Sequence, residues 1–432
     1  TEECKKLIQK HGLKVPKVGL VEEPKVKTNE WFWLECHKPQ TTNNLKIKFF
    51  KKKDGKIRDS IPWNAKKIND DTLLYYGFVR SKKADLMGGK WLTEASSNPY
   101  EFEFDLREDK KVDKELKKSA MMSYLLFENG KITVDKKSPE DRFGILLNED
   151  AKLFSSSVGK TIVSYVLGNA VCEGYIDGVN SKIDDWPLIK NTLYDGQKII
   201  DIINMSAGDQ EYINIKDRVK KTGRTAGGYT IKYLMEEIFK NSTKKKQKWN
   251  YSGLPAPLIN NYIWFKSNGD YQKILDKTFK EKAKIKNSVQ FRTKDYEKNY
   301  EDRIPTYEDG ILDSHFWATR YDYLRIAKAM LDDWQNDTCV GKYLKTVFNN
   351  RVNKNYQGNV DNNSNWFNPK QYAGFFHTGY TGMKDRAVMG MDGNGGQSIM
   401  IDFDRGRIIV INAIFNNYNW KKIAHSVIKK GK

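Results

Sequence analysis

The stretch Phe154-Ser155-Ser156-Ser157-Val158-Gly159-Lys160-Thr161-Ile162-Val163-Ser164-Tyr165-Val166-Leu167-Gly168 decides the fold. A serine cluster feeds into an apolar run that carries one lysine three residues past the last serine. Ile162, Val163, Val166, Leu167, Ala170 and Val171 cover most of a helix surface, so the spacing predicts a buried helix. Residues i and i+3 are neighbours on a helix, which brings the Ser157 hydroxyl within reach of the Lys160 amine. A serine in the first turn also faces unpaired backbone N–H groups and the positive end of the helix dipole, where negative charge is favoured. The plainer reading is that the serines supply an N-cap while Lys160 reaches solvent along its aliphatic stem.

As a bare pattern Ser-x-x-Lys carries little weight, because Ser242-Thr243-Lys244-Lys245 and Ser426-Val427-Ile428-Lys429 match it too. Ser242 runs into a lysine-rich loop, and Ser426 lies in a terminal helix whose charges face water. Only Ser157 precedes a long apolar segment.

The chain of 432 residues, with 39% hydrophobic, 12% aromatic and 30% charged residues, is long enough for two domains and has the composition of a folded protein. No apolar run reaches the ~18 residues that a membrane span needs. The sequence starts at Thr1 with no visible signal peptide, which fits a mature or trimmed form and leaves the location open, a periplasmic or exported one being the favoured expectation. The net charge of +20 comes from lysines scattered along the chain with no nucleic-acid-binding motif, so a nucleic-acid partner is not expected. Cys4, Cys36, Cys172 and Cys339 lack the Cys-x-x-Cys spacing of a zinc or redox site, and an oxidising compartment allows one disulfide between Cys4 and Cys36.

Residues 1–117 read as a β-rich accessory module. Asn44 to Phe50 and Tyr100 to Leu106 alternate at strand period, Trp31 to Cys36 and Leu73 to Val79 are aromatic-rich apolar runs, and Arg107 to Lys118 forms a linker or short helix. Residues 118–432 form a second unit. It opens with the hairpin Met122 to Glu128, Asn129-Gly130, Lys131 to Val134 and ends with the hairpin Ser398 to Phe403, Ile408 to Ala413, followed by a helix from about Trp420. A helical subdomain at roughly 176–370 lies between them, with helices expected at Lys198 to Met205, Ile231 to Phe239 and Tyr321 to Asp333. One antiparallel sheet made by both ends, flanked by helices, is the economical packing. An α/β (α+β) fold follows, with the site at the seam.

The order of elements, together with Asp141-Arg142-Phe143-Gly144, Phe154 to Tyr175 and Ile202-Ile203-Asn204-Met205-Ser206-Ala207-Gly208, resembles the penicillin-recognising serine hydrolases: class C β-lactamases, D,D-peptidases and esterases. The nearest branch is that of the 6-aminohexanoate-dimer (nylon oligomer) hydrolases. The resemblance covers roughly residues 118–430 and implies a β-lactamase/transpeptidase-like fold.

It puts the first motif on Ser157 and Lys160 and the second on Tyr251-Ser252-Gly253, where Gly253 stands in place of the asparagine of β-lactamases. The third motif has two candidates, His377-Thr378-Gly379 and Gly393-Asn394-Gly395-Gly396-Gln397. The second is preferred because it leads into a strand, which makes His377 a loop or rim residue. The implied roles are Ser157 as nucleophile, Lys160 as general base and Tyr251 as a proton relay hydrogen-bonded to both. Backbone N–H groups of Ser157 and Asn394 form the oxyanion hole, and Ser252, Gly393, Gly395, Tyr212 and His377 bind substrate. Trp366, Phe375 and Phe376 are further wall candidates. The implied partner is a small-molecule ester or amide, with no metal or other cofactor. A D,D-peptidase or β-lactamase, and an envelope-binding protein without catalysis, are the alternatives.

Overall fold

The computed structural model describes residues 46–51, 55, 57, 58, 60–62, 64–86, 91–213, 229–294, 306–354 and 369–430. In chain order the strands are β1 (Glu103–Phe104), β2 (Met121–Glu128), β3 (Lys131–Lys137), β4 (Leu153–Phe154), β5 (Lys182–Ile183), β6 (Gln197–Lys198) and β7 (Gln290–Thr293). They continue with β8 (Leu312–Ala318), β9 (Val352–Asn353), β10 (Gln371–Ala373), β11 (Phe376–Thr378), β12 (Val388–Gly393), β13 (Gln397–Asp402) and β14 (Arg407–Ala413). The longer helices are α1 (Asp70–Leu86), α2 (Lys110–Lys118), α3 (Val158–Cys172), α4 (Pro255–Lys266), α5 (Arg320–Gln335) and α6 (Cys339–Asn349).

Both predicted hairpins form. Asn129 at φ +54° and Gly130 at φ +79° take the left-handed conformations that a two-residue turn between β2 and β3 requires. β14 pairs antiparallel with β2, from Ile408 opposite Phe127 to Asn412 opposite Ser123, so the two ends of the chain close one sheet. That sheet has nine strands in the order β1-β3-β2-β14-β13-β12-β11-β10-β9, antiparallel except where β1 joins β3. Such a mixed α/β architecture with a large antiparallel sheet matches the sequence-based expectation. Helices also form at Ile199–Ile203 and Ile231–Tyr233, while α5 covers the predicted Tyr321 to Asp333. A three-stranded sheet, β4-β8-β7, lies beside the main one.

α3 forms the centre of the core. Every residue from Val158 to Ala170 is buried, so this helix is held by packing on all sides rather than by one amphipathic face. Cys172 at its C-terminal end is bridged to Cys339 at the start of α6, with a Cα separation of 5.8 Å. That pairing was not read from the sequence; Cys4 and Cys36 lie outside the described residues.

The N-terminal part departs from its β-rich reading. Leu73 to Val79 lie in helix α1, not a strand, and Leu73, Leu74 and Tyr76 share one apolar cluster with Val158, Ile162 and Met391. Burial of this face in the common core overrides the strand propensity of its aromatic residues. Of Tyr100 to Leu106 only β1 is strand, and residues 46–50 form none. Asn44, Leu45 and Trp31 to Cys36 lie outside the described residues. Arg142 clasps Asp70 at the start of α1 through two hydrogen bonds, of 2.9 and 3.0 Å. No helix among the described residues is long and apolar enough to cross a membrane.

Candidate active site

Strand β4 delivers the serine cluster to the seam. Leu153 and Phe154 pair with Ala318 and Trp317 of β8, and the Ser155 N–H donates to the Phe316 carbonyl at 2.8 Å. The Ser155 hydroxyl accepts the Phe316 N–H at 2.8 Å, which ends the pairing. Ser156 then adopts φ +48°, a left-handed conformation that is costly for a residue with a Cβ, and this turns the chain abruptly into α3. Ser157 holds the N-cap position with φ −67°, yet its side chain makes no capping hydrogen bond. Its Oγ lies 2.9 Å from Lys160 Nζ. Lys160 is only 3% exposed, so it does not reach solvent. The plain capping-and-snorkelling reading therefore fails on both residues. Gly159 between them is required by packing, because a Cβ there would sit 1.9 Å from the Ser314 carbonyl oxygen of β8.

The glycine turn between β12 and β13 lies against the same serines. The Gly396 N–H donates to the Gly393 carbonyl at 2.9 Å, and Gly395 takes φ +90°. A Cβ at Gly393 would come within 2.5 Å of the Ser155 carbonyl oxygen, so glycine permits the approach. The Asn394 carbonyl accepts the Ser156 hydroxyl at 2.8 Å and the Arg80 Nη2–H at 3.0 Å.

Tyr251 packs its ring face 5.1 Å from Lys160 Nζ. The expected hydrogen bonds from its hydroxyl to Ser157 and Lys160 do not form among the described residues, because the ring rather than the hydroxyl meets the lysine. His377 stacks on Tyr251 with ring centroids 6.1 Å apart. It is not the loop or rim residue expected from sequence: it sits on β11, opposite Gly390 of β12, and is 4% exposed. Additional short strands extend the main sheet beyond the terminal hairpin and bury this side chain. Its Nδ1 lies 2.6 Å from Lys354 Nζ, so the ammonium donates and the ring proton resides on Nε2. Burial, reinforced by the charges of Lys354 and Lys160, holds His377 well below the usual histidine range, hence neutral.

Ser252 and Tyr212 are engaged otherwise. The Ser252 hydroxyl accepts the Leu254 N–H at 3.3 Å at the entry to α4. Tyr212 packs against Phe239 with the rings tilted by 37°, and its hydroxyl accepts the Thr243 N–H at 3.3 Å. None of their described contacts reaches Ser157, Lys160 or Tyr251. Phe375 and Phe376 are fully buried in the core, and Trp366 lies outside the described residues.

Sequence reading missed Lys354, Arg80 and an ionised group on β8. Asp313 faces Arg292 at 3.2 Å and His315 Nδ1 at 2.8 Å, and His315 stacks on Phe154. Burial pushes Asp313 up, but the facing His315, Lys294 and Arg292 outweigh it and keep the carboxyl well below its usual range. Burial also pushes His315 down, against the pull of Asp313. The alternation Asp313-Ser314-His315 was the available signal, but only strand pairing fixes which face meets α3. No cluster of His, Cys, Asp and Glu suited to a metal ion occurs among the described residues.

No protein-family model and no curated relative matches the sequence. Solved structures do. A protein assigned as a 6-aminohexanoate-dimer hydrolase in Bacillus anthracis superposes with a TM-score of 0.57 at 13% identity, covering 82% of this chain and 94% of that one. EstCE1, a hydrolase with promiscuous acyltransferase activity, gives 0.53 at 11% identity over 72% of this chain and 94% of its own. A D-stereospecific amidohydrolase from Streptomyces gives 0.52 at 13% identity over 76% of this chain and 100% of its own. The chain therefore has the β-lactamase/transpeptidase-like fold of the penicillin-recognising serine hydrolases.

Proposed function

We propose that this chain is a serine hydrolase that cleaves a linear amide or ester through an acyl-enzyme on Ser157. The observation that carries this reading is the 2.9 Å contact between Ser157 Oγ and a buried Lys160 Nζ at the first turn of α3. A serine hydroxyl is a weak nucleophile until a base removes its proton. Lys160 takes the proton as Oγ attacks the substrate carbonyl carbon. A positioned base contributes about 10²–10⁴ in rate. Lys160 then returns the proton to the leaving amine or alcohol as the carbonyl–leaving-group bond breaks, with the Tyr251 ring packed over its ammonium. Water then attacks the Ser157 ester, releasing the acid and returning the proton to the site.

The oxyanion hole in this reading is formed by the backbone N–H groups of Ser157, at the N-terminus of α3, and Asn394, in the glycine turn beside it. One such donor is worth ~3–4 kcal/mol of transition-state stabilisation. Gly253 favours an amide or ester over a β-lactam, because no side-chain amide is available there to hold an antibiotic.

A screen over p-nitrophenyl esters, linear amides and β-lactams tests the reading, with Ser157→Ala as control. The substitution is expected to abolish turnover and to remove the single covalent mass that a fluorophosphonate adds to the Ser157 peptide. Turnover undiminished in Ser157→Ala would refute the mechanism, and rapid nitrocefin hydrolysis would favour a β-lactamase instead.

A further inference from the structure

The geometry points to Arg80, in the part of the chain read from sequence as accessory, as a positioning residue for the oxyanion turn; this inference rests on the acyl-enzyme reading above. The Asn394 carbonyl receives two donors, Ser156 Oγ at 2.8 Å and Arg80 Nη2 at 3.0 Å. One comes from the residue next to the nucleophile and the other from α1, more than 300 residues away in sequence. A peptide unit is planar, so holding the Asn394 carbonyl fixes the peptide on the C-terminal side of Asn394. The Gly396 N–H bond to the Gly393 carbonyl, at 2.9 Å, fixes the peptide on its N-terminal side. Together they set the direction of the Asn394 N–H, the group that must face the oxyanion.

The turn needs such a clamp because it is built from glycines. Gly395 and Gly396 both take φ +90°, and glycine crosses between backbone conformations that a side chain would forbid. Gly395 is also shaped around the arginine: a Cβ there would lie 2.0 Å from Arg80 Nη1. Arg80 itself is 9% exposed and rests over the Phe154 ring at 5.8 Å, so its guanidinium is anchored to the strand that carries the serines. Its hydrogen bond is charge-assisted and therefore stronger than the hydroxyl bond from Ser156. The guanidinium thus ties the turn, the nucleophile strand and α1 into one unit.

The rival is that Arg80 merely attaches α1 to the sheet. Fluorophosphonate labelling of Ser157 in the full chain separates the two, because the probe's phosphonyl oxygen must enter the oxyanion hole and no substrate identity is needed. Arg80→Met is expected to lower the maximal labelling rate at least about tenfold while the half-saturating probe concentration stays unchanged. Arg80→Lys, which keeps a donor but not the fork, is expected to recover part of that loss. Ser156→Ala removes the other donor to the same carbonyl, so the double variant Arg80→Met/Ser156→Ala, which leaves the turn unclamped, should lose more than the product of the two single effects. Labelling of Arg80→Met at the rate of the unsubstituted chain, or a double variant at the product of the single effects, would overturn the inference alone. Failure of the unsubstituted chain to label at Ser157 would remove the acyl-enzyme reading and this inference with it.

Discussion

Lys160 Nζ lies 2.9 Å from Ser157 Oγ inside a helix whose first thirteen residues are all buried. Lys160 is thus sealed by packing, while Ser157 at the N-terminus of α3 is half-buried. Lys160→Met keeps the length and apolar stem of the side chain but deletes the base. It is expected to retain the fold and to slow fluorophosphonate labelling of Ser157 by about 10²–10⁴. Labelling within a few-fold of the unsubstituted rate would show that another group deprotonates the serine.

In the function proposed above Gly253 stands for the asparagine of β-lactamases, and a Cβ built there meets no atom within 4 Å. Gly253→Asn should therefore leave the thermal midpoint nearly unchanged, within the ±0.5 kcal/mol typical of surface substitutions. The added amide is expected to raise nitrocefin hydrolysis relative to ester hydrolysis. An unchanged ratio would mean that selectivity against β-lactams is set elsewhere.

His377 is held below its usual range by burial and by the charges of Lys354 and Lys160. Unfolding returns it to about 6.5, so between the two values the unfolded chain binds more protons than the folded one. Stability present above about pH 6.5 is then lost as the pH falls, by up to ~1.4 kcal/mol per pH unit for this group. His315 and His425, also depressed by burial, act in the same direction. Chemical denaturation from pH 7.5 to 5 should show the decline, and His377→Gln should make it shallower. An identical slope in that variant would exclude His377 as a source.

The Cys172–Cys339 bridge joins residues 167 apart in sequence and ties α3 to α6. Reduction, or Cys172→Ser with Cys339→Ser, is expected to cost ~2–5 kcal/mol. Labelling of Ser157 below the lowered thermal midpoint should persist, since the bridge lies at the end of α3 opposite the site. Thermal melts with and without reductant, paired with labelling, measure both. Loss of labelling in a still-folded reduced protein would show that the bridge also sets the position of α3.

Local sequence determined the parts of this protein whose causes are local. Asn129-Gly130 specifies a hairpin by backbone conformation alone, the apolar run after Ser157 specifies a buried helix by its period, and i,i+3 geometry brings Lys160 to Ser157. The glycine turn at Gly393 to Gln397 was legible for the same reason, since only glycine permits a backbone approach that close. Tertiary structure decided everything that depends on distant partners. Leu73 to Val79 carry strand-forming residues but fold as helix α1 because the common core buries them there. His377 became a buried neutral residue because β9, β10 and β11 extend the sheet around it, and Tyr251 turned its ring rather than its hydroxyl to Lys160. Arg80 reaches Asn394 only after the chain closes on itself, and no periodicity or spacing in one segment encodes a hydrogen bond between residues so far apart.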